Sequence, residues 1–292
     1  MIVQLNGKEL SNRIYDRLKD NINFIESDVL TLVVIQVGNN ESSNIYIKNK
    51  KKACEKVGIN FLHYKFSSDI KFSEAVEVIK KINDNPDVTG IIVQKPLPDH
   101  LEGIEQYISP SKDVDGFTFE NLGKLASGYK NIIPCTPSGI LDLFKDYNID
   151  IKGKNIVIIG RSNIVGKPMA LASLLEDATV TICHSKTKNL KFYTTNADII
   201  IVAIGKAKYI NSEYLTSKCY CIIDVGINKD ENGKLCGDCD YDDIIKFWNE
   251  LEESGYNNTR FITPVPGGVG PLTVSSLLAN TLYCYYKSKE NN

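Results

Sequence analysis

Tyr46 and Lys50 stand four residues apart in the run SNIYIKNKKKACEKVG. That spacing puts both on one face of a helix. Ala53 and Val57 continue the stripe toward a core, while Lys48, Lys51, Lys52 and Lys56 can look outward. A lysine drawn partly out of water has its charged form disfavoured and its pKa lowered, which suits proton transfer near neutral pH. A merely solvated lysine is the plain alternative. Gln94 closes a short apolar run, TGIIVQ, just before Pro96-Leu97-Pro98. Ligands of open α/β sheets gather outside the carboxyl ends of strands. An amide there can face a ligand or simply bond a loop. Asp113 and Asp115 lie two apart in SKDVDGF. A calcium loop would need further oxygen ligands at set spacings, and a phosphatase-type DxDx[TV] would need Thr or Val where Phe117 stands. Two readings stay open: one carboxylate gripping an amidine or amide edge of a substrate, or an Asx turn before Gly116.

A second kind of chemistry is written in NIVIIGRSNIVGKP, Asn155 to Pro168. Ile156 to Ile159 form an unbroken apolar run, as in a parallel strand covered on both faces. Gly160 ends it, Gly166 sits where a helix can begin, and Pro168 is tolerated in a first helical turn. A strand that feeds a helix N-terminus through glycine is a ready phosphate site. The generic dinucleotide fingerprint wants glycine at the positions of Ser162 and Val165, so a plain strand–helix turn competes with the nucleotide reading. An NAD enzyme places an acid ~20 residues after the glycines, on the ribose 2′-hydroxyl. Here that place holds Cys183-His184-Ser185-Lys186-Thr187, without a carboxylate. Hydroxyls together with Arg161 suit a 2′-phosphate through charge-assisted hydrogen bonds, which points to NADP over NAD.

The elements that must carry these groups alternate. Helical spacing runs from Asn6 to about Glu26, and a strand from Leu30 to Val37. A helix capped by Ser42 runs to Gly58, followed by a strand at Asn60 to Phe66, a helix at Ser73 to Asn83 and a strand at Thr89 to Gln94. Pro110 to Gly128 reads as loop, and Pro137 to about Tyr147 as helix. After the glycine stretch come a helix to about Leu175 and strands at Thr179 to Cys183, Asp198 to Ala203 and Cys221 to Val225. A helix at Tyr241 to Ser254, a strand at Phe261 to Thr263 and a helix at Pro271 to about Tyr285 close the pattern. Strand–helix alternation favours α/β units with parallel sheets.

At 292 residues the chain has room for two domains. A net charge of -2 gives no electrostatic case for nucleic acid or an anionic membrane. No apolar run approaches the ~20 residues that span a bilayer, and MIVQLNGKEL lacks a signal-peptide layout. The 8 cysteines read as reduced thiols. One CxxC, Cys236 to Cys239, could offer two zinc ligands, with Cys219 and Cys221 as the only other close pair; variable-loop cysteines are the alternative, and no metal is expected.

Taken in order, eight motifs resemble the bifunctional methylenetetrahydrofolate dehydrogenase/methenyltetrahydrofolate cyclohydrolase family. They are SNIYIKNK, IIVQKPLP, KDVDGF, PCTPSGI, IGRSNIVGKPMA, ATVTICHSKT, DVGIN and ITPVPGGVGPLT. A YxxxK also occurs in short-chain dehydrogenases, but there it follows the glycine loop, whereas here it precedes it.

The resemblance implies two α/β domains with a cleft between them. A folate-binding catalytic domain would comprise 1–145 plus a C-terminal helix at 271–292, and a Rossmann-like NADP-binding domain would comprise 146–270. It implies NADP-dependent oxidation of 5,10-methylenetetrahydrofolate and hydrolysis of the methenyl product to 10-formyltetrahydrofolate. The alternative is an NAD-dependent dehydrogenase with weak or no cyclohydrolase activity. By resemblance, Lys50 handles protons, Gln94 positions it, Tyr46 packs on the folate and Asp115 holds the pterin edge. Pro266, Gly267 and Gly268 would line the substrate site. Cofactor contacts would fall on Gly160, Arg161, Ser162, Val165, Gly166, His184, Ser185, Thr187 and Ile227. Tetrahydrofolate derivatives as substrates, a homodimer through the dinucleotide domain, a cytoplasmic setting and a link to purine biosynthesis are implied too; a fused formyltetrahydrofolate synthetase is not expected. Three places depart from the family pattern: Lys95, which could meet an acidic folate tail, the CGDC segment, and Lys206-Ala-Lys-Tyr-Ile210.

Overall fold

The computed structural model describes residues 1–25, 29–129 and 131–290, with Ser42 described by its backbone alone. β1 (Ile2–Gln4) and α1 (Gly7–Asn23) lead into β2 (Thr31–Val37), α2 (Glu41–Val57), β3 (Asn60–Phe66), α3 (Phe72–Asp84) and β4 (Gly90–Val93). Next come α4 (Phe119–Ala126), α5 (Cys135–Asp146), β5 (Asn155–Ile159), α6 (Gly166–Leu175), β6 (Thr179–Cys183), α7 (Leu190–Thr194), β7 (Ile199–Val202) and β8 (Cys221–Asp224). β9 (Asn228–Lys229), β10 (Leu235–Cys236), α8 (Tyr241–Glu253), β11 (Arg260–Ile262) and α9 (Val269–Glu290) complete the order. Among the described residues no helix is long and apolar enough to cross a membrane.

The chain divides into two units. One holds Asn12–Cys135 and the chain from Val274 onward; the other holds Met1–Ser11 and Thr136–Thr273. In the first, three parallel strands run in the order β3-β2-β4. All seven residues of β2 and all four of β4 are buried, as their predominantly apolar runs favour. Val33, Ile35, Ile79 and Ile91 form the heart of that core, each buried side chain contributing ~1.5–3 kcal/mol. β3, one of the two edge strands, stays mostly exposed. α2 starts at Asn40, whose side chain accepts from the Ser43 N–H at 3.0 Å, and stops at Gly58 in a left-handed conformation (φ 85°). The cap is therefore Asn40; the expected capping side chain, Ser42, lies outside the described residues, as does Glu26 at the expected end of α1.

The second unit is a six-stranded, wholly parallel sheet in the order β1-β11-β8-β7-β5-β6. Counted from β5, its strands run 2-1-3-4-5, a doubly wound order whose direction reverses between β5 and β7. Its core includes Val157, Ile200, Ile222 and the fully buried Trp248.

The boundaries differ from those read in the sequence. Residues 2–4 form an edge strand beside β11 in the second sheet, so the N-terminal segment leaves the expected 1–145 domain. Three residues are too short to show a period, which is why β1 was not expected. The division at Cys135/Thr136 also precedes the expected 145/146. α4, capped by Thr118, whose hydroxyl accepts from the Asn121 N–H at 3.4 Å, occupies a stretch expected to be loop.

Candidate active site

Within the first unit, α2 and the end of β4 bring Lys50 and Gln94 together. The Lys50 ammonium donates to Gln94 Oε1 at 2.8 Å. Gln94 Nε2 donates to the Lys95 carbonyl at 2.8 Å; that bond orients the amide so that its oxygen, not its nitrogen, faces the lysine. Gln94 N–H is itself held on the Ile35 carbonyl at 2.8 Å, continuing the sheet beyond β4. The helix face is as expected, with Ala53 and Val57 buried and Lys50 half-buried. Tyr46 is exposed one turn before Lys50.

The two aspartates of KDVDGF separate into two jobs. Asp113 is buried and accepts from Gly116 N–H (2.9 Å), Thr118 N–H (2.8 Å) and Asn121 Nδ2 (3.0 Å). It builds the loop. Asp115 is left to face Lys50. Burial holds the Lys50 amine below its ordinary value, opposed first by the nearby Asp115 carboxyl. Burial likewise pushes Asp115 upward, opposed by Lys50 and by a hydrogen bond with the Cys135 thiol. Desolvation thus drives both members of the pair toward their neutral forms. Cys135, at the first turn of α5, has its own thiol pushed well above the ordinary range by burial and by Asp115. Its place beside the pair was not read from the sequence; PCTPSGI carries no partner at a telling spacing, and only folding brings it to Asp115.

Lys95 does not present a free charge. Its Nζ is paired with Glu105 at 2.8 Å, both half-buried.

In the second unit, a cavity of about 260 Å³ opens at the carboxyl ends of β5, β6 and β7, where the strand order reverses. Gly160, Arg161, His184, Ser185, Lys206 and Tyr209 are among its lining. Gly160 adopts φ 131°, and a Cβ there would lie 2.2 Å from the Ala203 carbonyl oxygen. A Cβ on Gly166 would lie 2.2 Å from the Gly160 carbonyl oxygen. The turn is closed so tightly that only glycine fits at either place. Ser162 Oγ accepts from Val165 N–H (3.1 Å) and Gly166 N–H (3.4 Å), and so closes the start of α6. Thr187 Oγ1 accepts from His184 N–H at 2.9 Å, shaping the turn after β6. Arg161, His184 and Ser185 are thereby gathered on the cavity. Thr187, Ser162 and Val165 instead serve the backbone that frames it, and Ile227 lies exposed outside the lining. Lys206 and Tyr209, noticed in the sequence only as departures, belong to the wall, with the Lys206 ammonium 5.2 Å from the Tyr209 ring centre. Pro266, Gly267 and Gly268 form a turn tied to the start of α1, where Lys8 N–H donates to the Gly267 carbonyl at 2.9 Å.

All eight cysteines are free. Cys219, Cys221 and Cys239 are buried, Cys219 and Cys239 within the sheet core. Among the described residues no group of three or more His, Cys, Asp or Glu side chains is placed to hold a metal.

These features have close counterparts. Residues 5–115 match the model of the tetrahydrofolate dehydrogenase/cyclohydrolase catalytic domain, and residues 134–289 that of its NAD(P)-binding domain. The chain belongs to the tetrahydrofolate dehydrogenase/cyclohydrolase family. A relative in this family, the bifunctional protein FolD of Lachnoclostridium phytofermentans, is 48% identical over 287 residues, covering 97% of this chain and 98% of its own. The crystal structure of the bifunctional FolD methylenetetrahydrofolate dehydrogenase/cyclohydrolase from Campylobacter jejuni superposes with a TM-score of 0.92 at 43% identity, covering 99% of this chain and 100% of that one. The Trypanosoma brucei methylenetetrahydrofolate dehydrogenase-cyclohydrolase, solved with NADP and an inhibitor, gives a TM-score of 0.88 at 30% identity, covering 99% and 98% of the two chains.

Proposed function

We infer that this protein is a bifunctional folate one-carbon enzyme using NADP. It oxidises 5,10-methylenetetrahydrofolate to the 5,10-methenyl cation and hydrolyses that cation to 10-formyltetrahydrofolate. The observation that carries the reading is the Lys50–Gln94 bond beside Asp115, in a family member whose other unit bears a glycine-turn cavity lined by Arg161 and Ser185.

The dinucleotide fits the cavity on this chain's own terms. The turn between Gly160 and Gly166 brings backbone within reach of a phosphate at the α6 N-terminus. Arg161, Ser185 and Lys206 supply donors for a 2′-phosphate, and no carboxylate stands among the lining residues to repel one. When bound, NADP accepts a hydride from the methylene carbon.

The protein groups do the rest. Burial disfavours the charged form of Lys50, which lessens its repulsion of the methenyl cation that hydride loss leaves. In the second reaction water adds to the methenyl carbon and its proton passes to Lys50 Nζ. The carbon–N5 bond then breaks as the hydroxyl of the adduct gives up its proton and N5 takes one up, leaving the formyl group on N10. Gln94 Oε1 holds the amine in place, Asp115 grips the pterin edge, and Tyr46 covers the folate ring. The turn of Pro266, Gly267 and Gly268 contributes to the substrate site. The lack of an acid after Cys183 disfavours the NAD-dependent alternative. The enzyme works as a homodimer through its dinucleotide unit, in the cytoplasm, and its product feeds purine biosynthesis.

Absorbance-monitored turnover of methylenetetrahydrofolate, with NADP and NAD side by side, tests the reading. Reduction of NADP followed by loss of the methenyl band is expected. Preference for NAD, or a methenyl product that decays no faster than in buffer, would overturn it.

A further inference from the structure

The CGDC segment is absorbed by none of the chemistry above. Its Asp238 is fully buried and carries a complete set of donors. Asp238 Oδ2 accepts from the N–H groups of Ile204 (2.7 Å) and Gly205 (3.1 Å). Oδ1 accepts from Lys206 N–H (2.8 Å) and from Asn228 Nδ2 (2.8 Å). Three successive backbone amides therefore converge on one carboxylate, and Ile204 and Lys206 are residues of the cavity wall after β7. The main chain reinforces this. Lys208 N–H donates to the Gly237 carbonyl (3.1 Å), Ile210 N–H to the Asp238 carbonyl (3.0 Å), and Asp240 N–H to the Ile210 carbonyl (2.7 Å).

The segment is anchored in turn to the sheet. Asp224, the last residue of β8, accepts from Asp238 N–H (2.9 Å) and Cys239 N–H (2.8 Å). A Cβ on Gly237 would lie 1.8 Å from the Asp224 carboxylate, so the strap passes directly over it. Two buried carboxylates in series thus connect the end of β8 to residues 204–206.

We propose that Asp238 is a positioning residue for NADP: its carboxylate fixes the backbone of Ile204, Gly205 and Lys206, and thereby the wall of the dinucleotide cavity. On this account CGDC is a strap that works through its aspartate, and its cysteines serve as packing. The proposal rests on the reading of that cavity as the NADP site. Charge-assisted bonds from a buried carboxylate to backbone N–H groups are stronger than neutral ones and are lost singly at measurable cost.

Asp238→Asn keeps the volume, removes the charge and turns an NH₂ toward the amides. The expected result is a dissociation constant for NADP raised about tenfold or more by calorimetry. Hydrogen exchange at residues 204–206 should accelerate, while cyclohydrolase kcat/KM on methenyltetrahydrofolate stays within about twofold, because its proton-handling group, Lys50 with Gln94 and Asp115, lies in the other unit. Unchanged NADP affinity in the folded variant overturns the proposal. So does a parallel fall of both activities, which would mark a general loss of structure. Wild-type protein that does not bind NADP overturns the cavity reading and the proposal with it. If Asp238→Asn does not fold, Asn228→Ala decides. Faster exchange at 204–206 with weaker NADP binding supports the assignment, and unchanged values for both refute it.

Discussion

At the residue scale the proposed chemistry turns on one amine. Lys50 lies in an environment that disfavours its charge, while Gln94 and Asp115 keep it in place. Replacing it by methionine keeps the bulk and removes the proton carrier. Lys50→Met is expected to lower cyclohydrolase turnover by about 10²–10⁴-fold, the usual worth of a positioned acid–base group, while NADP still binds. Stopped-flow decay of methenyltetrahydrofolate measures it. The same substitution has a signature in stability. The folded-state pKa of Lys50 lies below its ordinary 10.5, so between the two values the unfolded chain binds more protons than the folded one. Wild-type stability relative to Lys50→Met therefore rises with pH through that window and is flat on either side. Denaturant titrations across pH reveal it; a difference that falls with rising pH would reverse the assignment. Arg161 makes a separate residue-scale prediction. Arg161→Ala should weaken NADP far more than NAD, since only NADP carries the dianion that its guanidinium can clasp. Equal losses in calorimetry would remove the 2′-phosphate from its role.

At the scale of elements, the glycine turn shapes the proposed phosphate site. Gly160→Ala must place a Cβ 2.2 Å from the Ala203 carbonyl oxygen at a φ of 131°. Loss of NADP binding with cyclohydrolase retained is expected, with strain of about 1–3 kcal/mol lowering the melting temperature. Much of this level was legible in the sequence. β3 and β6 end where expected, and β5 and β7 announce themselves as unbroken apolar runs. β1, α7 and the β9–β10 pair went unseen because two to five residues cannot establish a period. α4 was hidden because Pro110 and a chain of polar residues outweigh its short helical stripe. At the site, the Tyr46–Lys50 face could be read from spacing alone, and the division of labour between Asp113 and Asp115 could not. The turn reading falls to Asp113, while Asp115 faces Lys50. Cys135, Lys206 and Tyr209 join their sites only through long-range folding, which no local pattern encodes.

At the scale of the whole molecule, neither unit is a continuous stretch of chain. Leu5 is fully buried, and its N–H donates to the Ile262 carbonyl at 2.8 Å. Leu5→Ala is expected to cost about 2–5 kcal/mol. The loss should be local: amides of β11 should exchange faster while those of β2 keep their protection. Uniform acceleration in both sheets would show instead that the two units unfold as one.

The parallel register that sets Ile2 beside Arg260 also governs how the molecule is made. On the ribosome, β1 emerges long before the strand it must join. Until β11 follows, residues 2–4 have no ladder to enter and the large sheet lacks its edge. The other unit waits equally, because its last helical segment comes from beyond Val274. Neither activity can therefore mature during early synthesis, and a chain stalled before residue 260 can complete neither unit. The two activities are thus delivered together, by order of synthesis.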